Sequence, residues 1–423
     1  MNKNISCIIL AAGEGRRMNS SLPKVLHPIC GRPMLVYVLD LVKKLGIKNT
    51  VIVVGHKQDY VKRYLPKNII KNIKITLQDK LLGTADAVRK AMPALKGFKG
   101  AVLVLYADNP LLTIDTAKKL IQHHIENNFS ATLLTAKLEN PSGYGRILRD
   151  TRNCIAKIVE ENEANDFEKE IKEINTGIVC FDKGKLTQVL KEIKPQNKKK
   201  EYYLTDAVEL LYKKGEVVGA LKVKEIDEAL GVNSQSELAK ADKIMRARII
   251  KRHFDNGVRI KDPQSTFIDW DVKIGKDTEI YPFTVIESGV KIGSRCQIGP
   301  FCHLRQGTRL GNGVVAGNFL EIVRSQVSDE TLIKHFAYIG DTFIGKKVNI
   351  GAGTVTANFD GKNKNKTVIK EGAFIGSHTV FVSPVKVGRH SSTGAGSVVT
   401  KNSVIGDNTT VIGVPAKILK QGK

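Results

Sequence analysis

The chain has 423 residues, 42% hydrophobic and 26% charged. That apolar content excludes wholesale disorder, and a length beyond ~250–300 residues predicts more than one core. The balance of 67 basic against 42 acidic residues gives a net charge of +25. The lysines are spread along the chain, and the longest run, Lys198-Lys199-Lys200, has no interleaved aromatics. Nucleic acid is therefore not expected, and the charge reflects either small phosphorylated substrates or a composition that simply favours lysine and asparagine. No run approaches the ~18 apolar residues of a membrane span. The apolar stretch Ile5–Ala12 is too short for a secretory leader and ends in Gly13-Glu14-Gly15, so a cytoplasmic protein is expected. Six scattered cysteines without a Cys-x-x-Cys pair predict buried free thiols rather than a zinc knuckle or a disulfide framework.

The first ~230 residues alternate β-rich runs with helical stretches. Strands are predicted over Ile5–Ala12, Val51–Gly55, Ile73–Leu77, Ala101–Ala107 and Thr132–Ala136, and helices over Met34–Leu45, Ala85–Met92 and Thr116–Asn127. This order predicts a mostly parallel sheet covered on both faces, with ligands at the carboxyl ends of its strands. A helix from Ser234 to Phe254 follows, with Ser234 or Asn233 as its cap.

The second half has another period. Every sixth residue from Ile268 is aliphatic through Ile274, Ile280, Ile286, Ile292, Ile298, Leu304, Leu310, Ala316 and Ile322, and glycine follows at Gly275, Gly293, Gly299 and Gly311. The phase returns at Ile344, Ile350 and from Ile375 to Val411. A six-residue period is the signature of a parallel β-helix, with aliphatics stacked inside and glycines at the corners. The period breaks around 323–343 and 357–374, and the second break, around Asp360-Gly361, predicts a loop out of the stack. The expected domains are 1–233, a linker helix 234–254, and 255–423.

After the first strand, Leu10-Ala11-Ala12-Gly13-Glu14-Gly15-Arg16-Arg17 offers backbone amides and cations to an anion, and Lys24 follows nearby. This opening resembles the sugar-1-phosphate nucleotidyltransferases. The resemblance continues through Gln78, Leu82-Gly83-Thr84-Ala85, Tyr106-Ala107-Asp108, Gly143–Ile147, Ile158–Glu161, Glu173–Gly177, Glu201–Asp206 and Gly231-Val232-Asn233. With the hexapeptide half, the order and spacing are similar to those of the bacterial bifunctional UDP-N-acetylglucosamine pyrophosphorylase / glucosamine-1-phosphate N-acetyltransferases over nearly the whole chain.

That resemblance implies an α/β nucleotidyltransferase domain with a Rossmann-like mixed sheet, followed by a left-handed parallel β-helix that forms a homotrimer. It implies acetyl transfer from acetyl-CoA to glucosamine 1-phosphate, then uridylyl transfer from UTP to N-acetylglucosamine 1-phosphate. For the uridylyl half it implies Arg17 and Lys24 as catalytic cations. Mg²⁺ is then held by Asp108 and Asn233, and substrate contacts come from Leu10, Ala11, Ala12, Gly13, Gln78, Gly83, Thr84, Gly145, Glu160, Asn175 and Asn233. For the acetyl half it implies His335 as base, sugar-phosphate contacts from Arg305, Tyr338, Asn349, Asn358 and Lys364, and acetyl-CoA contacts from Ser377 and Ala395. An imidazole titrating near neutrality suits removal of a proton from an attacking amine.

The sequence departs from the family's pattern in three places. Val323 stands where a lysine is usual, with Arg324 next to it, and in a regular strand a side chain one position along points the other way. Lys334 replaces a glycine before His335, and the run after Val414-Pro415 is shorter than in better-known members. An alternative therefore stays open, a sugar nucleotidyltransferase whose β-helix only oligomerises or regulates. A non-enzymatic scaffold is opposed by the intact Arg17, Lys24, Asp108 and Asn233. A zinc site among His303, His335, His378 and His390 is opposed by the lack of close paired spacing.

Overall fold

The computed structural model describes residues 4–55, 58–65 and 73–419. The first three and last four residues, used above in reading the chain's start and its C-terminal run, lie outside the described residues. The chain divides into two compact units, Met1–Asp242 and Lys243–Lys423, with the division inside the helix Gln235–Asp255. No described helix is long and apolar enough to cross a membrane.

The first unit is built on a mixed sheet. Its strands are β1 (Ile5–Ala11), β2 (Asn49–Val54), β3 (Ile73–Leu77), β4 (Ala101–Tyr106), β5 (Ala131–Lys137), β6 (Arg146–Arg149), β7 (Ile155–Val159), β8 (Glu173–Asp182) and β9 (Val218–Lys222). The order is β9-β5-β8-β4-β1-β2-β3, with β6 and β7 forming a hairpin beside β8. All neighbours on the main path are parallel except β8, which runs antiparallel to β4 and β5. β1 reads as an almost unbroken apolar run because both of its faces are buried. Cys7, Ile9 and Ala11 pack with Leu35 and Leu39 of the helix Met34–Lys44, and Ile8 and Leu10 pack with Ala85 and Val88 of the helix Thr84–Ala91. β1 and β4 are in register with Leu10 opposite Tyr106, so residues 12–13 and Asp108 leave the sheet at the same edge. The predicted elements of this unit are all present, with ends displaced by one or two residues. Five cysteines are buried as expected, and Cys154 is exposed.

The second unit is a left-handed β-helix of three sheets. The first sheet begins at Arg259–Ile260, the second at Phe267–Ile268 and the third at Lys273–Ile274. Strands pair with those eighteen residues on, as Ile268 with Ile286 and Ile280 with Ile298, so three hexapeptides make one coil. Nearly all the predicted inward residues are buried, from Ile268 to Val411. A Cβ on Gly293 would stand 2.6 Å from the Gly311 carbonyl carbon of the next coil, which is why glycine opens these corners.

The two breaks differ in kind. The first is no loop: Ile322 pairs with Ile339 and Val327 with Ile344, seventeen residues apart, so those coils are one residue short. The missing residue comes out of the corners at Arg324 and Asp341, which take positive φ of 47° and 49°. The second break is a seven-residue insertion, Ile344 pairing with Ile369, and it emerges after Ala357 as expected.

Candidate active sites

At the carboxyl edge of β1 and β4, Leu10–Glu14, Arg16, Lys24, Gln78, Gly83, Thr84, Tyr106 and Asp108 line a cleft of 490 Å³. A larger hollow of 800 Å³ by Leu45, Asn49 and Gln122 contains none of the predicted residues. Within the cleft, the Lys24 ammonium is ion-paired with Asp108 Oδ2 and donates to Asn233 Oδ1 at 2.7 Å. Asn233 reaches Asp108 because the Val232 amide donates to the Asp108 carbonyl at 2.9 Å. Asn233 does not cap the helix. Ser234 Oγ accepts from the Glu237 amide, and Glu237 Oε2 accepts from the Ser234 and Asn233 amides. This capping box contributes about 1 kcal/mol and leaves the Asn233 side chain free for the cleft.

Asp108 and Asn233 thus direct two hard oxygen donors at one cationic group. That donor set fits Mg²⁺, which takes few protein ligands and keeps several waters. Among the described residues no group of three or more His, Cys, Asp and Glu is placed to hold a metal.

Gln78 is buried, and its amide nitrogen donates to Asp86 Oδ2 at 2.9 Å and to the Gly83 carbonyl at 3.0 Å. A carboxylate only accepts, so Asp86 fixes the amide's orientation and leaves Oε1 as the atom Gln78 can offer a ligand. Sequence reasoning missed Asp86, although its place on the first turn after Gly83-Thr84 was visible. Gly83 has φ 110°, and a Cβ there would stand 2.8 Å from the Tyr202 nitrogen. The segments 82–85 and 202–204 are laced together by the Tyr202 amide to the Leu82 carbonyl and the Leu204 amide to Thr84 Oγ1.

Glu160, Gly145 and Asn175 form a second patch of this unit. The Asn175 amide donates to the Gly145 carbonyl at 2.8 Å, where β8 bulges between Asn175 and Val179. Glu160 Oε1 accepts from Thr205 Oγ1 at 3.0 Å, and burial raises the Glu160 pKa. Nearby, burial raises Asp206 to about 6, helped by Glu209, Glu160 and Glu163. Arg146, almost wholly buried, pairs with Glu161 at 2.8 Å and holds the Tyr144 carbonyl, fixing the turn that carries Gly145. Arg17 is exposed and is not among the cleft-lining residues, whereas Arg16 lines it and pairs with Glu14 at 2.5 Å.

In the β-helix, His335, Ser377 and Ala395 occupy equivalent positions on one corner, each two residues after an inward-facing residue of the first sheet (Ile333, Ile375 and Thr393). The column is bonded through the Gly353 amide to the Phe336 carbonyl, His378 to Ala352, and Gly396 to Ser377. At ~4.8 Å per coil, Ser377 and Ala395 lie ~10 and ~14 Å along the column from His335. Phe283, Phe301, Phe319, Gly353, His378 and Gly396 turn this corner with positive φ, but residues 334–336 do not, and His335 is exposed. Phe283, Phe301 and Phe319 stack at 4.9 and 5.0 Å in an exposed aromatic row on the same corner.

The next corner gathers other predicted residues. Arg305 Nη1 pairs with Glu321 at 2.8 Å, beside Tyr338. Arg324, Asp341 and Asn358 are successive rungs there. Arg324 binds Asp341 through Nε and Nη2, and Asn358 Nδ2 donates to the same carboxylate. These bonds, Arg324 first, hold the Asp341 pKa below the usual carboxylate range, and Lys364 adds to the effect. Val323 and Arg324 point opposite ways, as expected, and it is Arg324 that shares a carboxylate with Asn358. The missing corner residue and the positive φ turn its side chain onto the rung of Asn358, while Val323 is buried. Asn349 stands apart from both corners, on the first sheet between Leu332 and Phe374.

Comparisons with known proteins agree with both halves. Residues 6–228 match the Nucleotidyl transferase family, and residues 271–306 and 366–401 match the Bacterial transferase hexapeptide (six repeats) family. Curated relatives called Bifunctional protein GlmU include that of Acetivibrio thermocellus, 43% identical over 94% of this chain and 92% of the relative. Those of Clostridioides difficile (40% identical, 99% and 97% covered) and Lactococcus lactis (42%, 100% and 98%) are also similar. A nucleotidyltransferase sheet, a hexapeptide β-helix and identity of this order over nearly the full length place the chain in the GlmU family of bifunctional enzymes of UDP-N-acetylglucosamine synthesis.

Proposed function

We propose that the two reactions run at the two sites described, one in each unit. The convergence of Lys24, Asp108 and Asn233 beside the residue 10–14 loop carries the uridylyl assignment. In that cleft the phosphate oxygen of N-acetylglucosamine 1-phosphate attacks the α-phosphorus of UTP. The bond to pyrophosphate breaks, and no covalent enzyme intermediate is needed. Lys24 neutralises charge on the attacked phosphate, and Arg17, exposed outside the cleft lining, swings in to meet the leaving pyrophosphate when the nucleotide is bound. Asp108 and Asn233 hold Mg²⁺, which neutralises the phosphate oxygens when bound. The amides of 10–14 receive phosphate oxygens, Gln78 Oε1 accepts the N3–H of uracil, and Gly83 and Thr84 frame the base. Gly145, Glu160 and Asn175 bind the sugar.

In the β-helix, the amine of glucosamine 1-phosphate attacks the thioester carbonyl of acetyl-CoA. His335 takes the amine proton as CoA leaves. The column from His335 through Ser377 to Ala395 suits a ligand as long and extended as acetyl-CoA. Arg305, Tyr338, Asn358 and Lys364 bind the sugar phosphate, and Arg324 supplies the cation that Val323 lacks. The exposed aromatic row beside His335 supports a homotrimer in which a second copy covers this corner. The protein acts in the cytoplasm, feeding envelope polysaccharide synthesis.

Two readouts test this. Acetyl-CoA with glucosamine 1-phosphate is expected to release a free thiol, and UTP with N-acetylglucosamine 1-phosphate to release pyrophosphate. Pyrophosphate without any sugar-phosphate-dependent thiol would leave the β-helix as a scaffold.

A further inference from the structure

The Lys24 ammonium sits where the two oxygen donors of the proposed metal site converge, paired with Asp108 and 2.7 Å from Asn233 Oδ1. The pair is well enclosed, the side chains being 11% and 17% exposed. Gly15 packs close against the lysine stem, since a Cβ there would stand 2.5 Å from Lys24 Cβ and 3.2 Å from Cγ and Cδ. A divalent ion held by both oxygens would take the lone pairs that now face Nζ and would meet its positive charge. Ammonium and metal therefore exclude one another.

We propose that Lys24 is the resident counter-cation of this cleft and that a divalent ion binds only when a triphosphate draws the ammonium away. The ligand that enters is then the metal–nucleoside triphosphate complex, not the free ion followed by the nucleotide. The argument rests on the reading of Asp108 and Asn233 as metal donors. A free ion offers the displaced ammonium no new partner, and leaving a charge unpaired in an enclosed pocket is costly. A triphosphate supplies that partner at the moment the ion needs the two oxygens. Metal and nucleotide thus bind with positive coupling, and by linkage each strengthens the other.

The test uses Mn²⁺ as the probe, with bound ion read from the loss of the free-ion paramagnetic resonance signal and no sugar phosphate present. The full chain is compared as wild type, Lys24→Met, Lys24→Gln, and Lys24→Met combined with Asp108→Asn, after thermal unfolding shows each is folded. Both single Lys24 variants are expected to bind Mn²⁺ alone about 10–100-fold more tightly than wild type, within the usual range of such coupling. A non-cleavable UTP analogue is expected to tighten Mn²⁺ binding in wild type and to do so much less in Lys24→Met. Equal Mn²⁺ affinity in wild type and both single variants, lost with Asp108→Asn, overturns the displacement and leaves the metal site standing. Mn²⁺ binding that survives Asp108→Asn in the Lys24→Met background overturns the metal reading beneath it.

Discussion

The guanidinium of Arg324 holds the carboxylate of Asp341 with two hydrogen bonds, Nε to Oδ1 at 2.7 Å and Nη2 to Oδ2 at 2.8 Å. The pair spans adjacent coils of the β-helix, and both residues sit at corners shortened by one residue. Hydrogen bonding to Asp341 raises the Arg324 pKa, with a smaller contribution from Tyr338, so the cation stays charged beside the residues proposed to bind the sugar phosphate. A charge-assisted hydrogen bond contributes about 1.5–3 kcal/mol. Arg324→Ala is therefore expected to raise KM for glucosamine 1-phosphate about 10–100-fold, with Arg324→Lys intermediate and pyrophosphate release unchanged. A KM within twofold of wild type would remove Arg324 from the site.

The two half-reactions are expected to separate cleanly. Asp108→Ala lowers pyrophosphate release on the order of 10²–10³-fold and spares thiol release. His335→Ala does the converse, by about 10²–10⁴-fold, the range for a lost general base. Normal pyrophosphate release from the first variant, or normal thiol release from the second, sinks the corresponding role.

Asp86 decides which end of the Gln78 amide is open to the cleft, and hence, at the proposed uridylyl site, to the base. With Asp86 as carboxylate, Gln78 donates inward and presents an acceptor, which matches the N3–H of uracil and mismatches the N3 lone pair of cytosine. Asp86→Asn frees the amide to turn over. The ratio of kcat/KM for UTP over CTP is expected to fall about tenfold or more, and an unchanged ratio counts against this control of base choice.

Gly83 tests the lacing of 82–85 to 202–204. An alanine there has φ 110° to adopt and the Tyr202 nitrogen at 2.8 Å from its Cβ. Gly83→Ala is expected to cost about 1–3 kcal/mol of stability in the first unit and to raise KM for UTP, while thiol release stays normal. Wild-type unfolding and KM would show that the segment yields freely.

Asp206 gives a pH signature. Its folded pKa is raised to about 6 from an ordinary value of 3.8, with burial the largest cause. Between those values the native state binds the proton more tightly than the unfolded chain. The stabilising contribution is thus full below the ordinary value and is lost as pH rises through about 6. Asp206→Asn stays neutral, so its gain in Tm over wild type is expected to be larger at pH 7.5 than at pH 4.5, by about 1–3 °C given partial solvent screening. An equal difference at both pH values means that Asp206 ionises without penalty.

Much of this was legible in the residues. The six-residue period from Ile268 to Ile322 named the β-helix because a coil of three short strands allows only one inward side chain per strand. His335, Ser377 and Ala395 each follow an inward residue by two, so their shared column was present in the sequence as a phase. The Leu10–Gly13 loop and Asp108 were legible as the ends of two apolar strands. The break at 323–343 was harder, because losing one residue at a corner and looping out look alike when only the inward positions are counted.

The sequence by itself determined the two architectures and the chemical inventory, since burial periodicity and strand ends are local properties of the chain. Only the tertiary structure decided how far-separated side chains are spent. Lys24 meets Asn233 across 209 positions, Ser234 rather than Asn233 caps its helix, Asp86 orients Gln78, and a shortened corner turns Arg324 toward Asp341. In each case the partner is chosen by where the backbone brings an unpaired donor beside an acceptor, and sequence spacing does not carry that distance.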